Sequence, residues 1–328
     1  MSCCNFVFWK EKKDGPFTKV LTADAEKNKS NMSRPAAPVF SRFDDSFSIH
    51  LSREYCLSIL VARHGFSYCI TRSDDNFVIG IECYSFTISD LRQSAGSDVK
   101  EWRSQLLMLL ESLESLKKSF HQVRIAVEYA KSTLVPEAFF EETDKDAWIR
   151  FNHPVTDYEL CRADRLPSAA AVMLYAVPLD ILPVIAAAFP EATVCNASGQ
   201  LIKCLISETK EAARDGVLYA HVKGAWVELI YLEDGKLKFF NIFSYQTRED
   251  LAYYVIFVIE QLGLNPDTTV LVLLGDIERE SDHFELLYRY IRNIRLVDNS
   301  IMLEPVQITS GISFHTYFNL LNFARCES

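Results

Sequence analysis

The chain has 328 residues, 49% of them hydrophobic and 24% charged, which at roughly 150 residues per domain is about two domains with sizeable cores. Its formal net charge of −10 argues against nucleic acid as a partner, because a phosphate backbone is bound by a basic footprint. The nine cysteines are odd in number and include no Cys-x-x-Cys pair. This excludes a zinc ribbon and suits reduced core thiols in a reducing, cytoplasmic compartment.

Residues 1–40 read as a disordered tail. The stretch 27–38 is polar, Pro-containing and without periodicity. Met1–Trp9 lacks the basic region that opens a signal peptide. Lys10, Lys12 and Lys13 are interleaved with Glu11 and Asp14, and Met32 is an alternative start. The rest divides into a first half over 41–215 and a second over 216–328.

In the first half, 55–61, 66–71 and 77–86 are short runs of β-branched, aromatic and Cys residues separated by turn residues. They predict a meander of three antiparallel strands. A helix follows, with Asp98 and Glu101 in the spacing of a capping box. Val99, Trp102, Leu106, Leu109, Leu113, Leu116 and Phe120 form its apolar face. A buried strand over 123–127 comes next. Strands over 158–166, 171–176 and 192–195 and helices over 179–188 and 200–213 complete this half. The stretch 169–189 is long and apolar enough to suggest a membrane span. Asp180 near its centre, flanked by Pro178 and Pro183, predicts a buried strand, a turn and a buried helix instead.

The second half repeats the order. Strands are predicted over 217–222, 225–232 and 237–243, with Glu233-Asp234-Gly235 as a hairpin turn, then a helix over 248–262 and a strand over 268–274. A helix closing at 288–291, a strand over 294–297 and a helix near 314–324 end the chain. Placing Gly65 on Gly224 aligns 65–86 with 224–245 without a gap and matches Asp75 with Asp234 and Ser85 with Ser244. The shared order of elements indicates duplication.

Three antiparallel strands, a helix and a further strand form the core order of a ribonuclease-H-like unit. Two such units in tandem resemble the superfamily of actin, sugar kinases and heat-shock ATPases. The expected fold is therefore α/β, a duplicated ribonuclease-H-like (actin-like ATPase) fold with two mixed sheets and flanking helices. That resemblance implies an Asp-x-Gly turn between the first two strands of each half, where backbone N–H groups cradle phosphate and the Asp positions metal and water. Here the turns read Arg63-His64-Gly65 and Val222-Lys223-Gly224. Both glycines are present and both carboxylates are missing. The adenosine-binding Gly-Gly is reduced to Gly275-Asp276, and a strand-end glycine has a structural explanation of its own.

Arg63, Gly65, Lys223, Gly224, Gly275 and Asp276 are thus candidates for a degenerate cleft, with Arg63 and Lys223 able to attract an anion. His64 and His221 lie near the two turns. No Gly-x-Gly-x-x-Gly, Walker A, Gly-x-Ser-x-Gly or His-Glu-x-x-His pattern occurs in the sequence. The acidic pairs Asp44-Asp45, Asp74-Asp75, Glu141-Glu142 and Glu233-Asp234 are adjacent in sequence. A nuclease metal site would instead draw carboxylates from different strands. No catalytic or metal-binding residues are expected, and no cofactor. ATP could enter but would not be hydrolysed.

Tyr55-Cys56-Leu57-Ser58-Ile59-Leu60-Val61 followed by Gly65-Phe66-Ser67-Tyr68-Cys69-Ile70 resembles the opening of the bacterial family known as domain of unknown function 3822. Leu134-Val135-Pro136, the ending Tyr317-Phe318-Asn319-Leu320-Leu321, and Cys326-Glu327 are similar to it as well. The resemblance implies an actin-like ATPase fold and supplies no functional residues. The expected function is a non-catalytic, protein-binding or scaffold module with an unidentified protein partner. The alternative is an active nucleotide-dependent ATPase or kinase.

Overall fold

The computed structural model describes residues 37–88, 97–209, 216–298 and 313–325. Most of the tail lies outside them. The part that is described is not all tail, because β1 (Phe40–Phe43) pairs antiparallel with the third meander strand, Phe40 opposite Cys83.

The first meander forms as β2 (Tyr55–Ala62), β3 (Gly65–Arg72) and β4 (Val78–Ser85). Helix α1 (Ser97–Ser112) begins one residue before Asp98. Asp98 therefore lies in the first turn instead of capping it, and its carboxylate is 3.2 Å from the Arg63 guanidinium. The helix is also shorter than its apolar face implies. Leu113 leaves helical geometry (φ −88°, ψ 75°), and Glu114–Lys117 is a separate 3-10 turn. Lys117 donates to the Glu111 carbonyl at 2.9 Å, satisfying one of the helix's last acceptors. Strand β5 (Gln122–Glu128) then pairs parallel with β2.

The largest departure from the expected order comes next. The strands predicted over 158–166 and 171–176 do not join the first sheet. They form as β7 (Glu159–Leu166) and β8 (Ala171–Pro178), which with β6 (Ser132–Pro136) make a separate antiparallel sheet in the order β6-β8-β7. Helix α2 (Lys145–Asn152) covers that sheet through Ile149, which packs with Val135, Cys161, Val172, Leu174 and Ala176. Strand β8 is buried along its whole length, and α3 (Leu182–Ala188) follows it, so 169–189 is a strand and helix as expected. Among the described residues no helix is long and apolar enough to cross a membrane.

The chain returns to the first sheet with β9 (Thr193–Asn196) and enters α4 (Ala197–Thr209). The second half supplies β10 (Val217–Val222), β11 (Trp226–Glu233), β12 (Lys236–Ser244), α5 (Arg248–Gln261), β13 (Val270–Gly275), α6 (Asp282–Tyr288) and β14 (Asn293–Leu296). Asp234 and Gly235 both have positive φ, 51° and 66°, as a two-residue hairpin with a right-handed strand twist requires. Thr247 and Asp250 form a capping box on α5.

The sheets run β1-β4-β3-β2-β5-β9 and β12-β11-β10-β13-β14. Without the extra edge strand β1, the two orders are the same. Alternation along the second sheet gives it two buried faces. Leu218, Ala220, Leu229, Leu271 and Leu273 pack with Leu251, Val255 and Val258 of α5. Tyr219, Ile230, Leu232, Val272 and Leu274 point the other way, into the core that also contains Leu57, Ile59, Leu201, Leu205, Phe318 and Leu321. That core runs through both sheets, and the described residues belong to one compact unit.

The last described helix, α7 (Phe314–Arg325), packs against β2 and β3 of the first sheet, β13 of the second, and α4. Its end is held by Arg124 of β5, which is 8% exposed. Arg124 donates to the Ala324 carbonyl at 2.6 Å and lies over the Phe323 ring. A cation at a helix C-terminus satisfies open carbonyls and complements the dipole. Replacing Arg124 with Ala should cost about 2 kcal/mol in urea denaturation, the scale of a charged hydrogen bond in a buried setting.

Candidate functional site

Register fixes which residues of the two sheets correspond. Cys56 pairs with Gln122 and Val217 with Val270, and from these starting points Ala62 pairs with Glu128 as Val222 pairs with Gly275 one step short of it. The Asp276 N–H donates to the Val222 carbonyl at 2.8 Å. Lys223 therefore corresponds to Ala62, and Asp276 to Glu128.

Ser85 pairs with Gly65 and Ser244 with Trp226, so those serines are equivalent as the alignment has them. The glycines are not. Gly65 opens β3 and corresponds to Trp226, whereas Gly224 lies within the second turn, where Arg63-His64 lies in the first. The second meander turn, Asp234-Gly235, is shorter than the first, and a gapless alignment carries that difference back to the glycines. Gly65 and Gly275 have structural causes. A Cβ on Gly65 would lie 2.7 Å from the Tyr84 carbonyl oxygen, and one on Gly275 (φ 91°) would lie 2.2 Å from that of Val222. Gly224 has open space around its Cα.

The second turn reaches the first sheet, and both basic side chains have acidic partners. Arg63 pairs with Asp98. Lys223 reaches across to Glu128, with Nζ 3.1 Å from Oε2, and the two side chains are 15% and 10% exposed. Burial alone would push the Lys223 ammonium down. Glu128, Asp276 and Glu228 outweigh it, so the net displacement is above the ordinary lysine value. Asp276 itself is exposed. The Lys223 N–H donates to the Trp226 carbonyl at 2.9 Å, and the Tyr245 hydroxyl donates to the Lys223 carbonyl, which fixes the turn.

A second polar tie lies just below. His221 and Glu228 are cross-strand partners on the face of the second sheet that points into the shared core, in step with Tyr219 and Ile230. Both are buried, at 2% and 1% exposure. His221 Nδ1 lies 2.7 Å from Glu228 Oε2, and the other carboxylate oxygen accepts from the Ser198 hydroxyl of α4. The glutamate stands between the serine and the histidine, so the histidine has no contact through which to activate the hydroxyl. The group joins α4 to the second sheet. His64 is exposed at the first turn.

Among the described residues, no three His, Cys, Asp or Glu side chains converge as a metal-holding group. Cys56, Cys69, Cys83, Cys161 and Cys195 are free and buried, while Cys204 is disulfide-bonded, unlike the reduced thiol expected there. Burial pushes the Cys83 and Cys195 thiols up to about 12 and that of Cys161 up to about 11, so none is a ready nucleophile at neutral pH.

Sequence reasoning singled out Lys223 and Asp276 but missed Glu128, Glu228 and Ser198. Glu228 carried a signal, since it stands alone in the apolar run 226–232. A glutamate with a core-facing period is rarely buried without a partner.

Two sheets of the same strand order, joined through a common core, define an actin-like ATPase fold. The chain belongs to the family described as protein of unknown function DUF3822, whose model matches residues 44–294. Among solved structures it is similar to a protein of Bacteroides thetaiotaomicron with an actin-like ATPase fold and unknown function. That match has a TM-score of 0.72 and 20% identity and covers 86% of this chain and 99% of that one. It is also similar to a chain of the PilM–PilN type IV pilus biogenesis complex, with a TM-score of 0.57, 12% identity, and 84% and 100% covered. No curated protein matches the chain by sequence.

Truncating one partner of the cleft ion pair leaves the other buried and alone. Lys223→Met should therefore lose about 3 kcal/mol, and adding Glu128→Gln should recover most of it. Because the folded-state pKa of Lys223 is raised, its contribution is complete below the unfolded value of about 10.4 and is withdrawn as pH climbs through the folded value. The difference in stability between wild type and Lys223→Met should shrink over that alkaline range and stay constant from pH 7 to 9.

Proposed function

We propose that this protein is a non-catalytic actin-like module whose cleft is held by its own charges and whose task is to bind another protein. The observation that carries the reading is the Lys223–Glu128 pair. A nucleotide phosphate reaching Lys223 would have to displace a carboxylate from a largely buried position and would meet Glu128, Asp276 and Glu228 around it. Phosphoryl transfer relies on positioning and on neutralising developing negative charge. A cleft whose cation is already committed to a carboxylate is poorly set for either. The first turn offers Arg63, committed to Asp98, where the superfamily's turn has a carboxylate. The PilM–PilN complex supports protein binding as a use of this fold, by analogy of fold alone.

The reading takes 41–215 and 216–328 as two halves of one rigid platform, with the β6-β8-β7 sheet as an insertion in the first. The test is turnover by the full-length chain. With ATP or GTP and Mg²⁺, the expected result is no phosphate release above a buffer blank. Steady release that is lost in Arg63→Ala or Lys223→Met would overturn the proposal and establish the nucleotide-dependent enzyme instead.

A further inference from the structure

The inserted sheet carries an outer surface that the fold leaves uncovered. Helix α2 has eight residues, and Ile149 alone is buried. At about 100° per residue, Ala147 and Phe151 project on the side away from Ile149 and Trp148 to its flank, with Asp144 just before the helix. Trp148 is 37% exposed and Phe151 86%. A short helix anchored by one isoleucine has no stability reason to place Phe151 in water three residues from a partly exposed Trp148. Aromatics of this kind are the residues that dominate binding when a partner covers them.

The charge around them has an acidic excess, although Glu137 is paired with Arg165 at 2.7 Å. Residues 137–152 contain Glu137, Glu141, Glu142, Asp144 and Asp146 against Lys145 and Arg150. Both bases are engaged, Lys145 with Glu142 at 2.8 Å and Arg150 with the Val155 carbonyl at 2.7 Å. Glu141, Glu142 and Asp144, at the start of the helix, are all exposed.

We infer that the outer face of α2 is a docking surface for a basic amphipathic segment of a partner protein. Apolar side chains of that segment would cover Trp148 and Phe151, and its lysines or arginines would face Glu141, Glu142 and Asp144. Complementary charge would steer the encounter and the aromatics would hold it. An anionic membrane surface is disfavoured by the same charges. The inference rests on the protein-binding reading and gives it a location.

The probe is a synthetic amphipathic helix of lysine and leucine, compared with a glutamate and leucine peptide of the same pattern. Binding to the full-length chain is followed by calorimetry and by tryptophan emission. The lysine peptide should bind with an affinity that falls as salt rises, shifting tryptophan emission to shorter wavelength, and the glutamate peptide should not bind. Phe151→Ser and Trp148→Ala/Phe151→Ser keep every charge, so any loss they cause reports the aromatics and not the net charge of the protein. The double variant should weaken binding at least tenfold. Phe151→Ser, which removes a side chain already in water, should weaken it without changing the melting temperature. Equal affinity of wild type and double variant, or equal binding of both peptides, would overturn the inference. A concentration-dependent dimer abolished by Phe151→Ser would also overturn it, assigning the face to self-association. Nucleotide turnover would defeat the functional reading and leave this surface standing, so the two failures are distinguishable.

Discussion

Glu128 and Glu228 are carboxylates placed in the junction between the two sheets, and each is met by a group from the opposite side. Glu128, ending β5 of the first sheet, meets Lys223 of the second. Glu228, in β11 of the second, accepts from Ser198 of α4 and pairs with His221. Taking an isolated carboxylate out of water is expensive, and the expense is recovered only when donors hold it in good geometry. Apolar contacts are non-directional and tolerate sliding. A buried ion pair and a buried hydrogen-bonded carboxylate do not, so these two ties favour one relative position of the sheets over its neighbours. The shared core supplies the bulk of the attraction between the sheets, and the polar layer supplies its direction.

Lys223 is occupied because of that arrangement, and the candidate cleft acquires its character from it. A fold that elsewhere holds ATP here has a turn whose cation answers to the protein's own carboxylate. The remaining connections are consistent with a fixed body. Arg124 fastens the end of α7 to β5. Just past the end of β5, Tyr129 stacks on Trp102 and donates to Glu159, while Lys131 binds the same glutamate. These contacts tie the inserted sheet to the first sheet and α1, so α2 presents its aromatics from a firm base.

Much of this was legible in the sequence. The two meanders, α5, β13 and the apolar strand and helix of 171–188 follow from periodicity and length, because each segment's neighbours are local or alternate with a single period. The third sheet was not legible. The strands at 159–166 and 171–178 have ordinary strand patterns, and nothing local tells a strand which sheet it will join. The candidate turns were found, but their equivalence was misjudged, because two glycines drew an alignment that strand register does not follow. Lys223 was identified, but its partner was not. Glu128 lies 95 residues away at the end of another strand, and an ion pair at that separation leaves no periodic trace. Asp98 was read as a cap because its spacing to Glu101 is right. The helix starts one residue earlier, and Arg63 claims the carboxylate.

The most direct measurement of the central claim is the melting temperature of the full-length protein with and without saturating Mg-ATP. A ligand at about 100 times its dissociation constant adds roughly 2.7 kcal/mol to the stability of the state that binds it. A cleft closed by Lys223 and Glu128 predicts no shift beyond about a degree, in wild type and in Glu128→Gln alike. A rise of several degrees in wild type, absent from Lys223→Met, would show that nucleotide and not Glu128 is the natural partner of that lysine.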